Sequence, residues 1–209
     1  KTGIKLPAEA QGIIPDYERI GPVELATFSF GHGISVTPVQ LATAVSAVAN
    51  GGKLMRPRLV KKVDAGKNID DITNEPQVVR QVISKKTANK TKKLLKQVVE
   101  NGTGTKAAID GYEIGGKTGT AKHYNEDIYD SSFIGIVDVG DRDLVILVIL
   151  YDIAGETYYG SQTAAPVFKN LTESVLNYMN VKPGSGDNYD YSKAEKNLAI
   201  PDLQGDSFV

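Results

Sequence analysis

The stretch Gly111-Tyr112-Glu113-Ile114-Gly115-Gly116-Lys117-Thr118-Gly119-Thr120-Ala121 admits two readings, and each leads to a different fold. Gly111 to Thr118 satisfies the phosphate-loop pattern G-x-x-x-x-G-K-[ST]. Downstream, Leu147-Val148-Ile149-Leu150-Tyr151-Asp152 imitates an apolar strand ending in a magnesium-binding aspartate. A phosphate loop needs a buried strand before it and a helix after it, because helix N-terminal amides hold the phosphates. Here Lys106-Ala107-Ala108-Ile109-Asp110 is too short and polar for that strand. After Thr118 the chain runs Gly119-Thr120-Ala121-Lys122-His123-Tyr124-Asn125-Glu126-Asp127, with no apolar helical stripe and a glycine that opposes a helix. The other reading is a strand carrying Lys-Thr-Gly. In such a strand the lysine is a fixed cation beside a reacting centre, and the threonine hydroxyl hydrogen-bonds a substrate carboxylate. The glycine leaves room for substrate backbone, and the next N–H forms half an oxyanion hole. By itself the tripeptide also fits an ordinary strand.

Working outward, three strands are expected at Tyr112–Lys122, Ser132–Val139 and Asp143–Asp152, the last two joined by a hairpin turn at Gly140-Asp141-Arg142. The third is continuously apolar from Leu144, which predicts a place in the sheet centre with both faces covered. Helices are expected on either side. Thr37 and Pro38 open one, Gly51-Gly52 closes it, and its mostly apolar surface predicts burial on most sides. Ser84 to Glu100 forms a second, with Ala88, Thr91, Leu95 and Val98 as its stripe and a lysine-rich solvated face. Thr163 to Asn180 forms a third, with Val167, Phe168, Leu171, Val175, Leu176 and Met179 at helical spacing. Residues 1–36 read as loops with short extended pieces, and 53–83 as short strands and loops, Val78, Val79, Val82 and Ile83 being the most strand-like. Helices and an antiparallel hairpin around a mixed core predict an α/β (α+β) or layered α/β/α domain.

Composition narrows the chemistry. The 209 residues carry 24 Lys and Arg against 25 Asp and Glu, a net charge of −1, so no basic surface for nucleic acid is indicated. There is no cysteine and only two histidines, His32 and His123, which leaves no disulfide, no thiol nucleophile and no histidine-rich metal centre. No metal and no cofactor is expected. His32, between Gly31 and Gly33, reads as a structural loop residue, His123 as a surface position, and Tyr158-Tyr159 as packing residues. The longest strongly apolar run, Leu144 to Tyr151, is far too short to cross a bilayer.

Several segments, in order, resemble class B penicillin-binding proteins. They are Ala26-Thr27-Phe28-Ser29-Phe30-Gly31-His32-Gly33-Ile34-Ser35-Val36-Thr37-Pro38-Val39-Gln40-Leu41-Ala42, Ala49-Asn50-Gly51-Gly52 and Pro57-Arg58-Leu59-Val60. Val98-Val99-Glu100-Asn101-Gly102-Thr103-Gly104 and Gly115 to Ala121 continue the likeness, followed by Ser132-Phe133-Ile134-Gly135, Tyr158-Tyr159-Gly160 and Ala164-Ala165-Pro166-Val167-Phe168. Ile200-Pro201-Asp202-Leu203-Gln204-Gly205 is similar to the opening of a PASTA domain. The resemblance implies a C-terminal part of a transpeptidase domain over 1–181, a linker over 182–199 and the start of a PASTA-like segment over 200–209.

The resemblance further implies a penicillin-binding/β-lactamase-like fold, an antiparallel sheet flanked by helices of which only the C-terminal part is present, and a serine D,D-transpeptidase that cross-links peptidoglycan stem peptides and is acylated by β-lactam antibiotics. Its parent would be anchored in the bacterial membrane, with the domain on the extracytoplasmic face. Carried over by position, Lys117 supports proton traffic and anion binding, and Thr118 bonds the substrate or β-lactam carboxylate. Gly119 keeps the strand edge clear, and the Thr120 N–H stabilises the oxyanion. The family's Ser-x-x-Lys and Ser-x-Asn motifs are absent: no serine here has lysine three positions on or asparagine two positions on. The expectation is that both lie upstream, that the missing N-terminal half is this chain's partner, and that the chain alone is inactive. Exposed core surface should also make it poorly stable alone, or drive it to dimerise. A non-catalytic scaffold role in cell-wall synthesis is the alternative.

Overall fold

The computed structural model describes residues 1–63, 72–73 and 75–184. Most of the linker and all of the PASTA-like segment expected from the sequence lie outside the described residues. After a single 3-10 turn at Tyr17–Arg19, the order of elements is α1 (Pro22–Phe28), α2 (Pro38–Ala49), β1 (Lys53–Met55), β2 (Lys62–Val63), β3 (Ile72–Thr73), β4 (Val78–Gln81) and α3 (Lys85–Asn101). A 3-10 turn at Thr105–Ala107 leads to β5 (Ile114–Lys122), β6 (Ile128–Asp138), β7 (Asp143–Ala154) and α4 (Ala164–Tyr178).

The helix ends follow from capping. Thr37 and Gln40 form a reciprocal capping box: the Gln40 N–H donates to Thr37 Oγ1 at 3.2 Å, and the Thr37 N–H donates to Gln40 Oε1 at 2.8 Å. Pro38 occupies the first helical position, where its missing N–H costs nothing. Gly52 ends this turn at φ +87°, and a β-carbon there would lie 2.0 Å from the Ile83 carbonyl oxygen, so only glycine fits. Ser84 caps α3 by accepting from the Thr87 N–H at 3.1 Å.

β5, β6 and β7 form one antiparallel sheet in that order. The register pairs Lys117 with Ile134, Thr118 with Phe133, Gly119 with Ser132 and Thr120 with Ser131. Because side chains alternate, the sheet has two distinct faces. On one, Phe133 meets Phe168 of α4 with ring centroids 4.7 Å apart, both rings fully buried. Gly135 lies beneath the same ring, and a β-carbon there would come within 2.4 Å of Phe168 Cζ. On the other face α3 lies against β5, where a β-carbon on Gly115 would meet Leu95 and Lys96 at 3.0–3.1 Å. The main core joins Val99, Ile109, Ile114, Phe133, Val137, Val148, Phe168 and Leu176.

Four sequence expectations change. The central strand is β6, not β7, because β7 pairs on one edge only among the described residues. Its apolar run reflects cover by helices above and below, since both α2 and α4 contact it. Residues 22–28 are helical rather than loop, Pro22 standing at the first helical position. α2 is half-buried rather than enclosed: Ala47 is its one fully buried residue. In α4 the buried face is Ala165, Phe168, Thr172 and Leu176, leaving Val167 and Leu171 exposed.

Thr172 in that face is fully buried, and its hydroxyl has no hydrogen-bond partner among the described residues. An unsatisfied buried hydroxyl costs about 1–3 kcal/mol. Thr172→Val, which keeps the shape and removes the polar atom, is expected to raise unfolding stability by roughly 1 kcal/mol, read as a higher midpoint in urea at unchanged slope.

Candidate active-site strand

The Lys117-Thr118-Gly119-Thr120 run lies on β5, an edge strand whose single partner is β6 among the described residues. The backbone passes straight through Gly115–Thr118 as strand and continues to Lys122, with no helix after it. A phosphate loop is excluded by that geometry, since the run continues as strand and β6, not a helix with its N-terminal amides, follows it. An edge strand instead offers unpaired N–H and C=O groups to an extended peptide.

Lys117 is exposed, and its Nζ donates to the Thr118 carbonyl at 2.9 Å. Among the described residues no carboxylate pairs with it, so the cation stands free at the sheet edge. Thr118 is half-buried, and its hydroxyl shares a 3.3 Å hydrogen bond with the hydroxyl of Thr103. Thr103 stands in the loop between α3 and the 3-10 turn. Nothing local in the sequence marks it for this contact, although it falls within the Glu100-Asn101-Gly102-Thr103-Gly104 segment.

Gly119 sits against Ser132, where a β-carbon would come within 2.5 Å of Ser132 Oγ. Thr120 is exposed, and its Oγ1 accepts the Gly160 N–H at 3.2 Å. Gly160 in turn lies so close that a β-carbon on it would be 2.5 Å from the Ser132 oxygen and 2.6 Å from the Gly119 oxygen. The segment before α4 therefore braces this strand from one side. Ser131 is fully buried and donates its hydroxyl to the Tyr158 carbonyl, and Tyr158 stacks on Tyr129 at 3.8 Å. Tyr158 thus packs against the sheet, whereas Tyr159 is 51% exposed with its ring 4.5 Å from that of Tyr158.

The histidines separate. His32 follows α1 in an exposed turn, its N–H donating to the Thr27 carbonyl at 3.0 Å and its ring 6.4 Å from that of Phe30. His123, expected as a plain surface residue, is half-buried and 3.0 Å from Asp130 through Nε2. The hydrogen bond to Asp130 raises its pKa above the ordinary histidine value. Next to it, Lys122 is paired with Asp127 at 2.8 Å, which raises the lysine pKa further.

Comparison with known proteins covers the same span. Residues 1–173 match the family model for the penicillin binding protein transpeptidase domain. The chain is 38% identical to Stage V sporulation protein D of Bacillus subtilis, over 98% of this chain and 33% of that protein. It is 34% identical to the peptidoglycan D,D-transpeptidase FtsI of Escherichia coli, over 87% of this chain and 30% of that protein. It therefore spans about a third of the length of these relatives. Among solved structures, penicillin-binding protein 3 of Mycobacterium tuberculosis complexed with aztreonam is similar at TM-score 0.75 and 29% identity, covering 88% of this chain and 44% of that one. An edge strand bearing Lys-Thr-Gly, the two-faced helix-flanked sheet behind it and this likeness coincide along the sequence, and the chain belongs to the penicillin-binding protein transpeptidase domain family.

Proposed function

We propose that this chain forms one wall of a serine D,D-transpeptidase site that cross-links peptidoglycan stem peptides and is acylated by β-lactams. The observation that carries the reading is the free Lys117 cation on an edge strand, beside the paired hydroxyls of Thr103 and Thr118. It is supported by the relative named a peptidoglycan D,D-transpeptidase and by the similar protein solved with aztreonam.

The substrate backbone lies along the open edge of β5. Thr118 bonds the terminal carboxylate, Gly119 lets the substrate approach, and the Thr120 N–H donates to the oxyanion as the carbonyl becomes tetrahedral. The nucleophile is a serine outside these 209 residues, since none here precedes lysine by three positions. Its hydroxyl oxygen attacks the D-Ala-D-Ala carbonyl and its proton passes to a base assisted by Lys117. Terminal D-alanine leaves, and an amine of a second stem peptide takes the acyl group and frees the serine. No described helix is long and apolar enough to cross a membrane. Placement on the extracytoplasmic face, through an anchor elsewhere in the parent, follows from where this substrate lies.

The rest of the domain is the natural partner. Val23, Leu25, Phe30 and Leu59 are exposed, and the outer edge of β7 is unpaired among the described residues. Such a surface matches a half-domain that docks on its other half.

The test is intact-mass analysis after incubation with a penicillin. A protein extended upstream to include the serine is expected to gain one penicillin mass, and this chain alone none. No adduct on the extended protein would overturn the reading in favour of a non-catalytic relative.

A further inference from the structure

We propose that His123, Asp130 and Asp152 form a binding site for one zinc-type divalent ion, which clips the β5–β6 turn to the end of β7. The three residues come from three places in the chain. His123 directly follows β5, Asp130 lies in β6 and Asp152 near the end of β7. One ligand atom from each lies within 4.8 Å of the others. The His123 ring is 3.0 Å from Asp130 Oδ1 through Nε2 and 3.9 Å from Asp152 Oδ1 through Nδ1.

A defect in the sheet builds this cluster. Tyr129 faces Ile153 and Ser131 faces Leu150, so Tyr151 and Asp152 together oppose the single residue Asp130. Such a bulge re-aims the side chain on it. Asp152 takes φ +56°, a left-handed conformation that an aspartate tolerates better than most residues. Its N–H donates to Asp130 Oδ1 at 3.1 Å, fixing the Asp130 carboxylate. The His123 N–H donates to the Ile128 carbonyl at 2.9 Å, fixing the backbone on the opposite side.

Charge points the same way. Among the described residues no lysine or arginine pairs with Asp130 or Asp152, and the adjacent cation, Lys122, is taken by Asp127. Two carboxylates facing one imidazole, with Glu126 close by, leave negative charge that a dication would neutralise. One nitrogen and two oxygens suit zinc, which binds both at about 2.0–2.2 Å and needs only four ligands. Tetrahedral bonds of that length put ligand atoms about 3.3–3.5 Å apart. One ring nitrogen alone would hold the ion, so the two distances, which run from different nitrogens, do not measure that spacing; the three ligand atoms, all within 4.8 Å of one another, need to close by little more than about 1 Å to reach it. The Asp152 side chain is 75% exposed, so it has room to adjust and leaves a fourth position open to water. Magnesium and calcium, which call for six or more oxygens, find too few here.

His123 is six residues beyond Lys117, roughly 20 Å along an extended strand. The ion would therefore sit away from the Lys117 chemistry and hold three strand ends together.

The experiment is equilibrium dialysis of the full chain against zinc chloride, with bound zinc counted by elemental mass spectrometry. One equivalent per chain is expected, with affinity at least tenfold weaker in Asp152→Asn and in His123→Asn. His32→Asn, which removes the other imidazole, is expected to bind as wild type does. Zinc should raise the thermal midpoint of wild type and leave that of Asp152→Asn unmoved. Because Asp152 is exposed, that variant reads binding independently of folding. Absence of saturable one-equivalent binding, or either site variant binding within threefold of wild type, would overturn the proposal.

Discussion

Alanine at position 117 is expected to slow penicillin acylation by about 100- to 10,000-fold, the range over which a positioned proton-transfer group acts. The comparison is made in a protein that joins this chain to its upstream serine. Lys117 is exposed and without a carboxylate partner among the described residues, so its loss breaks no ion pair that supports the fold. Its backbone remains paired with Ile134, and β5 keeps its register. The thermal midpoint should therefore barely move while the acylation rate collapses, as followed by time-resolved intact mass. Lys117→Arg, which retains the charge on a bulkier planar group, should fall between the two. An alanine variant acylated at the parent rate would remove Lys117 from the mechanism, whatever the identity of the nucleophile.

Phe168→Ala is expected to cost about 3–5 kcal/mol of unfolding stability, the usual loss for a deleted core aromatic. The ring is fully buried, tilted at 53° against Phe133, and covers Gly135 so closely that no β-carbon would fit there. Glycine leaves the sheet nothing with which to fill the space, so the cavity should persist rather than collapse. Val167, the next residue, is 43% exposed, and Val167→Ala should change stability by less than about 0.5 kcal/mol. Urea unfolding of the two variants reads the contrast directly. Similar losses in both would mean that α4 does not dock on β6 through Phe168.

The strand that carries the candidate site was legible because its residues are neighbours in the chain. Lys117, Thr118, Gly119 and Thr120 are consecutive, and a strand presents consecutive residues in a known alternation. Thr103 and Gly160 were not legible as parts of it. They approach Thr118 and Thr120 from 15 and 40 residues away, through contacts that only the folded chain makes. The partners of His123, Asp130 and Asp152, were not legible for the same reason, since they reach it across a bulge that no local pattern announces.

The elements divide along a similar line. Thr37-Pro38 before α2, Ser84 before α3 and the turn Gly140-Asp141-Arg142 between β6 and β7 act within a few residues, and the structure places all three as read. The extension of β6 back to Ile128 was invisible, because Tyr129, Asp130 and Ser131 break the apolar run and are held by pairing with Lys122, Ala121 and Thr120. The continuous run Leu144–Leu150 correctly announced a strand beneath helices but misplaced it in the order. Apolarity records how much of a side chain leaves water, whereas strand order records which backbones exchange hydrogen bonds. The sequence by itself determined the strand, the caps and the place of Lys-Thr-Gly on that strand, all set by neighbours in the chain. Tertiary structure alone decided that, among the described residues, β6 is central and β5 leaves an open edge, and which distant side chains meet there, because those outcomes depend on pairing between residues far apart in the chain.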